Sequence, residues 1–513
     1  MATTTADPAA QPGTVRSLIP ARLDRLDWSR FHTRLVIALG VAWILDGLEI
    51  TIASNVAGII SKPDALGLGS GSVAFSVGTI YLLGEVVGAL FFGRLSDKWG
   101  RRNLFMITLG VYLLGGALTA CTAGTGRFWV FWLDATRFIA GMGIGGEYAA
   151  INSAIDELIP AKYRGRVDIA VNGTYWFGAF LASVLTLGVV NHLSDATSWR
   201  VAFVLGPALG FVILFVRKNL PESPRWLLMH GRAEEAEAEV SRVEDEATHE
   251  RELPELDDSK AIEVIAAGNI GFVALAWTLF RRYPSRAVLG ATLMITQSFL
   301  YNAIFFTYAL VLNKVYGVSN GHVPYYFMAF ALGNFIGPFV LGPLFDTLGR
   351  RPMISATYLT SGGLLAISAV MFKAGDLNAV TQTIWWCAIF FVASAGASSA
   401  YLTVSEVFPL EVRAKAIAVF FAIAQAFGSF GPWFYGHLIG NGQDHTRLFY
   451  GYLIGAAVMA VGGVVAAFLG VDAAQKSLED IATPLSVQRT GSAPLKSQGP
   501  PPGPVSRARP RAI

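Results

Sequence analysis

The sequence predicts an all-α membrane protein: twelve transmembrane helices in two six-helix pseudo-repeats, with both termini in the cytoplasm. Three observations carry this. The 513 residues are 53% hydrophobic and only 15% charged, against about a quarter charged in a soluble domain. Apolar stretches near the ~20 residues that a helix needs to cross a bilayer recur along most of the chain. Two charged motifs recur at one fixed offset, which marks the second half as a copy of the first.

In chain order the apolar segments are 1 (34–60), 2 (73–93), 3 (103–123), 4 (129–154), 5 (167–190) and 6 (200–216), then 7 (287–312), 8 (324–345), 9 (352–372), 10 (381–404), 11 (415–438) and 12 (448–470). Alternate loops hold Arg94, Lys98, Arg101 and Arg102; Lys162, Arg164 and Arg166; ten Lys or Arg between 217 and 286; Arg350 and Arg351; Arg413 and Lys415. The intervening loops or their edges hold one each: Lys62, Arg127, Arg200, Lys314, Lys373 and Arg447. Lys and Arg accumulate in cytoplasmic loops, so this bias places both termini inside.

The stretch AIEVIAAGNIGFVALAWTLF (261–280) is nearly long enough for a thirteenth span. A crossing there would move Arg350, Arg351, Arg413 and Lys415 outside, so it is expected as a helix lying on the cytoplasmic surface. Before it, GRAEEAEAEVSRVEDEAT is a charged, soluble-looking helix. The expected organisation is a cytoplasmic segment (1–33) without a signal peptide's apolar core, a six-helix bundle (34–216), a cytoplasmic linker with surface helices (217–286), a second bundle (287–470) and a disordered tail (471–513) rich in Pro, Ser and Arg. Cys121 and Cys387 fall inside apolar segments with no Cys or His spacing around them, and imply neither a disulfide nor a metal site.

GRLSDKWGRR (93–102) returns as GPLFDTLGRR (342–351), matching Asp97 to Asp346 at an offset of 249. DELIPAKYRG (156–165) returns as SEVFPLEVRA (405–414), matching Glu157 to Glu406 at that same offset. Duplicated six-helix halves are a transporter architecture, with the substrate site between them. On these residues the chain resembles the major facilitator superfamily, whose signature G-x-L-x-D-x-x-G-R-R follows segment 2. It is further similar to the sugar-porter and metabolite–proton symporter branches. Arg137-x3-Gly141-x3-Gly145, Glu157-x2-Pro160-x3-Arg164-Gly165 and PESPRWLL (221–228) carry that similarity. The resemblance implies an inner gate in which Asp97, Arg101, Asp346 and Arg350 form ion pairs with loop partners, the candidates being Glu157, Arg164, Glu406 and Arg413.

Ionisable residues inside a membrane are functional candidates by default. Segment 1 holds Asp46 and Glu49, three apart and so on one helical face; segment 2 holds Glu85; segment 4 holds Arg137 and Glu147. At ~1.5 Å per residue, Arg137 lies roughly 12 Å below the outer surface and Glu49 about 10 Å below it, so the two are level. Gly47-Leu48-Glu49 resembles the G-Y-D of sugar porters, whose Asp exchanges a proton while paired with the Arg of segment 4. Glu147 lies ten residues deeper and is either a second titrating site or a packing group; Glu85 is similarly open.

Segment 4 also contains a nucleotide-binding lookalike, since Gly141, Gly143 and Gly146 spell G-x-G-x-x-G. A dinucleotide cradle needs a preceding strand and a turn, and the apolar run is unbroken here. Gly141 and Gly145 instead lie four and eight residues after Arg137, the spacing that lets membrane helices approach closely.

In segment 7, Gln297, Asn302, Phe305 and Phe306 fall where sugar porters have Q-x4-N and an aromatic pair, and amides suit hydroxylated substrates. Leu300 replaces the family's Gly, and Tyr401 stands where its sugar-stacking Trp would be. Tyr175, Trp176 and Trp433 are the other aromatic candidates for a cavity. The chain is therefore expected to be a secondary transporter of a small polar metabolite, a sugar derivative or an organic acid, by proton symport at the cell membrane. A uniporter or a proton-antiport exporter on the same fold is the alternative, and a sensor a more distant one. The expected partners are a small-molecule substrate, a proton and the lipid bilayer, without nucleic acid, cofactor or metal. The expected assembly is a monomer, and no nucleophile–base pair suggests an enzyme.

Overall fold

In a bilayer the backbone of each span must satisfy its own hydrogen bonds, which restricts long apolar runs to helices. The computed structural model describes residues 14–217, 222–248, 262–265, 271–473 and 481–482. A strand, β1 (Thr14–Ser17), and a short helix, α1 (Ile19–Asp24), precede α2 (Arg30–Ile60). Segment 2 is α3 (Ser70–Ala74), one π-helical turn (Phe75–Thr79) and α4 (Ile80–Trp99). Then come α5 (Arg101–Ala120), α6 (Arg127–Leu158), α7 (Ala161–Val190) and α8 (Asp195–Arg217). The connecting region holds α9 (Pro224–Met229), α10 (Ala233–Thr248), β2 (Ile262–Ile265) and α11 (Phe272–Arg282). Segment 7 is α12 (Pro284–Phe305) and α13 (Tyr308–Lys314), followed by α14 (Val323–Thr347), α15 (Arg350–Ala374) and α16 (Ala379–Val407). Segment 11 is α17 (Leu410–Gly428) and α18 (Phe430–Ile439), and α19 (His445–Leu469) follows. Among the described residues, ten spans are long and apolar enough to cross a membrane. Segments 4 and 6, now α6 and α8, fall outside that group; α6 carries Asp134, Arg137 and Glu147 within its length.

Glycines set the helix contacts. A methyl group at Gly84 or Gly88 of α4 would strike the backbone of Phe138 or Met142, and one at Gly141 or Gly145 of α6 would strike Tyr81 or Glu85. These four interlock α4 and α6, as small-residue spacing in membrane helices allows. Gly143 does the same against Tyr112 and Thr108 of α5, and Gly146 meets the side chains of Phe92 on α4 and Thr108 on α5, so the lookalike motif is a two-sided packing surface. The turns of the duplicated motif need glycine for another reason. Gly100 and Gly349 sit at φ 81° and 101° with extended ψ, a region only glycine enters freely.

The two halves of the chain meet at both ends of the bundle. At the end bearing the basic loops, the Arg166 amide donates to Asp346 at 3.1 Å; nearer the centre, Tyr148 stacks on Phe421 at 4.3 Å. At the opposite end, Ser70 donates to the Gly440 carbonyl at 2.9 Å and Thr79 to that of Ser429 at 2.7 Å.

The stretch 261–280 departs from the continuous helix expected of it. Ile262–Ile265 is a strand that pairs antiparallel with Thr14–Ser17, residues 266–270 lie outside the described ones, and the helix covers only Phe272–Arg282. Ile262, Val264 and Ile265 are β-branched and favour the strand. On α11, Leu275 and Leu279 face the protein while Val273 and Trp277 stand 85% and 65% exposed. The N-terminal segment, for which the sequence suggested no structure, docks through charge. Arg25 pairs with Glu244 at 2.7 Å, Arg22 with Glu237 and Glu244, and Asp24 with Arg164 at 3.4 Å. Burial opposes ionisation of the Glu244 carboxyl, but hydrogen bonds from Arg22 and Arg25 outweigh it and hold it below the usual range.

Candidate transport site

Helix α2 places Glu49 against α5, α6 and α8. Arg137 Nη1 donates to Glu49 Oε1 at 2.7 Å, and both side chains are 0% exposed. Tyr112 adds a hydrogen bond to Glu49 Oε2 at 3.4 Å. The guanidinium lies 4.3 Å from the ring centre of Tyr81 and 5.3 Å from that of Phe203, two cation–π contacts. Its Nη2 donates to the Val77 carbonyl at 3.3 Å. Val77 sits in the π-helical turn, and such turns occur often at functional sites. The level placement of Glu49 and Arg137 read from the sequence is thus a direct contact here.

Asp46, one turn earlier, accepts from Tyr148 and, at 3.5 Å, from Tyr81. Glu147 is buried beside it, and the two flank a small gap with Trp43 and Tyr148.

A central cavity of about 100 Å³ lies between the halves. Gln297, Asn302, Tyr175, Trp176, Tyr401 and Phe305 line it, all nominated by sequence. Trp43, Tyr148, Asn172, Tyr301 and Gln425 line it as well and were missed. Gln425 left a signal, an amide inside the apolar run of segment 11; the aromatics left none, because Trp and Tyr are common across membrane spans. The breaks at Phe306–Thr307 and Ser429 fall beside this cavity, as interrupted helices do in transporters.

One expectation is corrected. Trp433 is outside the cavity: beyond the break at Ser429 it stands 38% exposed, against Phe430 and His437. Arg137 does not line the cavity and is committed to Glu49. Among the described residues, the lining contains no Arg or Lys.

At the basic end, Arg350 holds Glu406 through two contacts of 3.2 and 3.1 Å and Asp346 at 2.7 Å. Arg164 and Arg413 play matching local roles, donating to the carbonyls of Ile159 and Phe408 that end the preceding helices, at 3.4 and 3.2 Å. The side chains of Asp97, Arg101 and Glu157 lie outside the described residues.

Comparison with known proteins now decides the family. The profile described as "Sugar (and other) transporter" matches residues 69–485. The chain belongs to this family. It is therefore a multi-pass membrane transporter of the major facilitator superfamily and not an enzyme. The transporter is 27% identical to the niacin transporter NiaP of Acinetobacter baylyi, over 90% of this chain and 99% of that one. It is 25% identical to the major myo-inositol transporter IolT of Bacillus subtilis, over 76% and 81%. The solved structure of the proton:xylose symporter XylE bound to 6-bromo-6-deoxy-D-glucose superimposes with a TM-score of 0.69. It is 19% identical and covers 88% of this chain and 98% of that one, a likeness of fold.

Proposed function

We propose that the chain is a proton-coupled symporter moving a small, uncharged, single-ring polar metabolite across the cell membrane by alternating access. The observation that carries this is the wholly buried Glu49–Arg137 pair beside a central cavity with no cation among its described lining residues. A buried carboxylate and guanidinium are tolerated together but costly apart. Protonation of Glu49 dissolves the pair and frees Arg137, which changes the packing of α2 against α5, α6 and α8. In this reading α2–α8 and α12–α19 are two six-span bundles, twelve spans in all, and the transporter works as a monomer. The termini and the region of α9–α11 are cytoplasmic, with the Val273–Trp277 face of α11 at the membrane surface. The Arg350–Glu406–Asp346 cluster and the Arg166–Asp346 contact form an inner gate that parts when the cavity opens inward.

Seven aromatic side chains and four amides line the cavity. That set fits one ring, held by its faces and by hydrogen bonds at its edge. Relatives named for niacin and for myo-inositol support a single-ring substrate. An organic acid fits less well, because it would enter without a cation to receive it. Thermal unfolding of the purified protein with xylose, myo-inositol, nicotinamide and nicotinate tests this, since a ligand of the folded state raises Tm. A neutral ring should stabilise the protein and lose that effect in Asn302→Ala. Stabilisation by nicotinate alone, abolished by Arg137→Lys and indifferent to Asn302, would overturn the neutral substrate.

A further inference from the structure

Glu85 of α4 is fully buried, and it reaches across to the second half of the chain. Gln425 of α17 donates its Nε2–H to Glu85 Oε2. The Oε1 of Glu85 is buried with no hydrogen-bond partner among the described residues. The other end of the same amide lines the cavity. Gln425 Oε1 accepts from Ser298 and, at 3.2 Å, from Asn302, which also donates to Ser298 at 3.1 Å. A continuous hydrogen-bond path therefore joins a carboxyl of the first half to the polar wall of the cavity in the second.

Charge argues that this carboxyl exchanges a proton. The charged and titratable groups that interact with it electrostatically are Tyr81 on its own helix, Asp46 from α2, Arg137 and Tyr148 from α6, Tyr175 from α7 and Tyr401 from α16. Arg137 is the only cation among them, and Glu49 holds it. A buried carboxylate without its own cation is expensive, and binding a proton removes the cost.

Gln425 makes that proton legible in the cavity. As a carboxylate, Glu85 takes the amide N–H and leaves the amide oxygen for Ser298 and Asn302, the arrangement observed. A proton on Oε2 faces the amide N–H and finds no acceptor in place. Turning the Gln425 amide supplies one, its own oxygen, and presents N–H groups to Ser298 and Asn302 instead. Asn302 must then offer its carbonyl, so the donor and acceptor pattern of the cavity wall inverts. We propose that Glu85 is a proton-binding residue whose protonation state Gln425 transmits to the substrate cavity. The proposal rests on the symport reading above, but its chemistry can be tested without a substrate.

The experiment is infrared difference spectroscopy of the purified full-length protein between acid and alkaline pH. The expected result is a buried-carboxyl C=O band that titrates, is lost in Glu85→Gln and persists in Glu49→Gln. A side-chain amide band should move with the same midpoint and vanish in Gln425→Ala. Should Glu85→Gln fail to fold, Gln425→Ala alone decides, because loss of the partner must shift the carboxyl band. A carboxyl band untouched by Glu85→Gln, or unshifted by Gln425→Ala, overturns the proposal. Accumulation driven by a pH gradient is a separate measurement. Its absence in the wild type would sink the symport reading while leaving these bands as they are.

Discussion

The two halves of the chain share their loop motifs but not their interiors. At the offset that matches Asp97 to Asp346, Glu49 corresponds to Ser298, Glu85 to Asn334 and Arg137 to Trp386. All are buried. The first half places ionisable groups where the second places a hydroxyl, an amide and an indole. On the proposed function, one duplicated scaffold would carry two tasks: charge that a proton can change in one half, and much of the neutral hydrogen-bonding surface for a ring in the other. Glu85 and Gln425 join them.

The sharpest way to break this contrast is to remove Arg137. In Arg137→Met the Glu49 carboxylate loses its partner, and stability should fall by about 3–5 kcal/mol. A second-half change at Asn334, the counterpart of Glu85, which donates to the Phe330 carbonyl at 2.9 Å, should cost ~1 kcal/mol as Asn334→Ala. Thermal unfolding of both variants checks the difference, and equal losses would erase the distinction between the halves.

Next in size is the cavity. Asn302→Ala should weaken binding of whichever neutral ring stabilises the protein by ~1–3 kcal/mol, through a substrate polar group left without its hydrogen bond. Trp433→Ala, outside the cavity, should stay within about 0.5 kcal/mol. Titration calorimetry on the pair tests whether binding sits on the α12–α17 surface.

Removing the gate should act mainly on conformation. Arg350→Gln cuts the contacts to Glu406 and Asp346 while leaving the cavity intact. Labelling from the basic end of a cysteine introduced at Tyr401 should speed up on the order of tenfold, ~1.4 kcal/mol. An unchanged rate would remove Arg350 from the gate.

The smallest effect concerns the N-terminal docking. The Glu244 carboxyl is held below its usual range, so its contribution is complete above that range and is lost as pH falls through the lowered value. Hydrogen exchange of Ile19–Asp24 should therefore quicken only in strongly acidic solution, below about pH 4. Glu244→Gln should quicken it at neutral pH.

What could be read from sequence follows the strength of each physical constraint. A span must be apolar and about 20 residues long, so the long helices stood out, including the charged α6. A charge in the membrane must find a partner, which led from Arg137 to Glu49 by depth alone. The reason for Gly141 and Gly145 was legible too, although their partner, α4, was not. Cavity aromatics follow no such rule. Trp433 and Trp43 look alike in sequence, and only the break at Ser429 and the packing of α2 separate them. The pairing of Thr14–Ser17 with Ile262–Ile265 joins strands of four residues nearly 250 positions apart, and neither strand has enough alternation to announce itself.

The most direct test is accumulation in proteoliposomes under an imposed pH gradient, comparing the wild type with Glu49→Gln for the neutral ring identified by thermal stabilisation. An amide can fill the site of Glu49 but cannot cycle a proton. The wild type should concentrate the substrate and lose that ability when the gradient collapses, while Glu49→Gln should exchange it across the membrane without concentrating it. A Glu49→Gln protein that still accumulates substrate in response to the gradient would contradict the assignment of Glu49 and Arg137 as the proton-coupled pair.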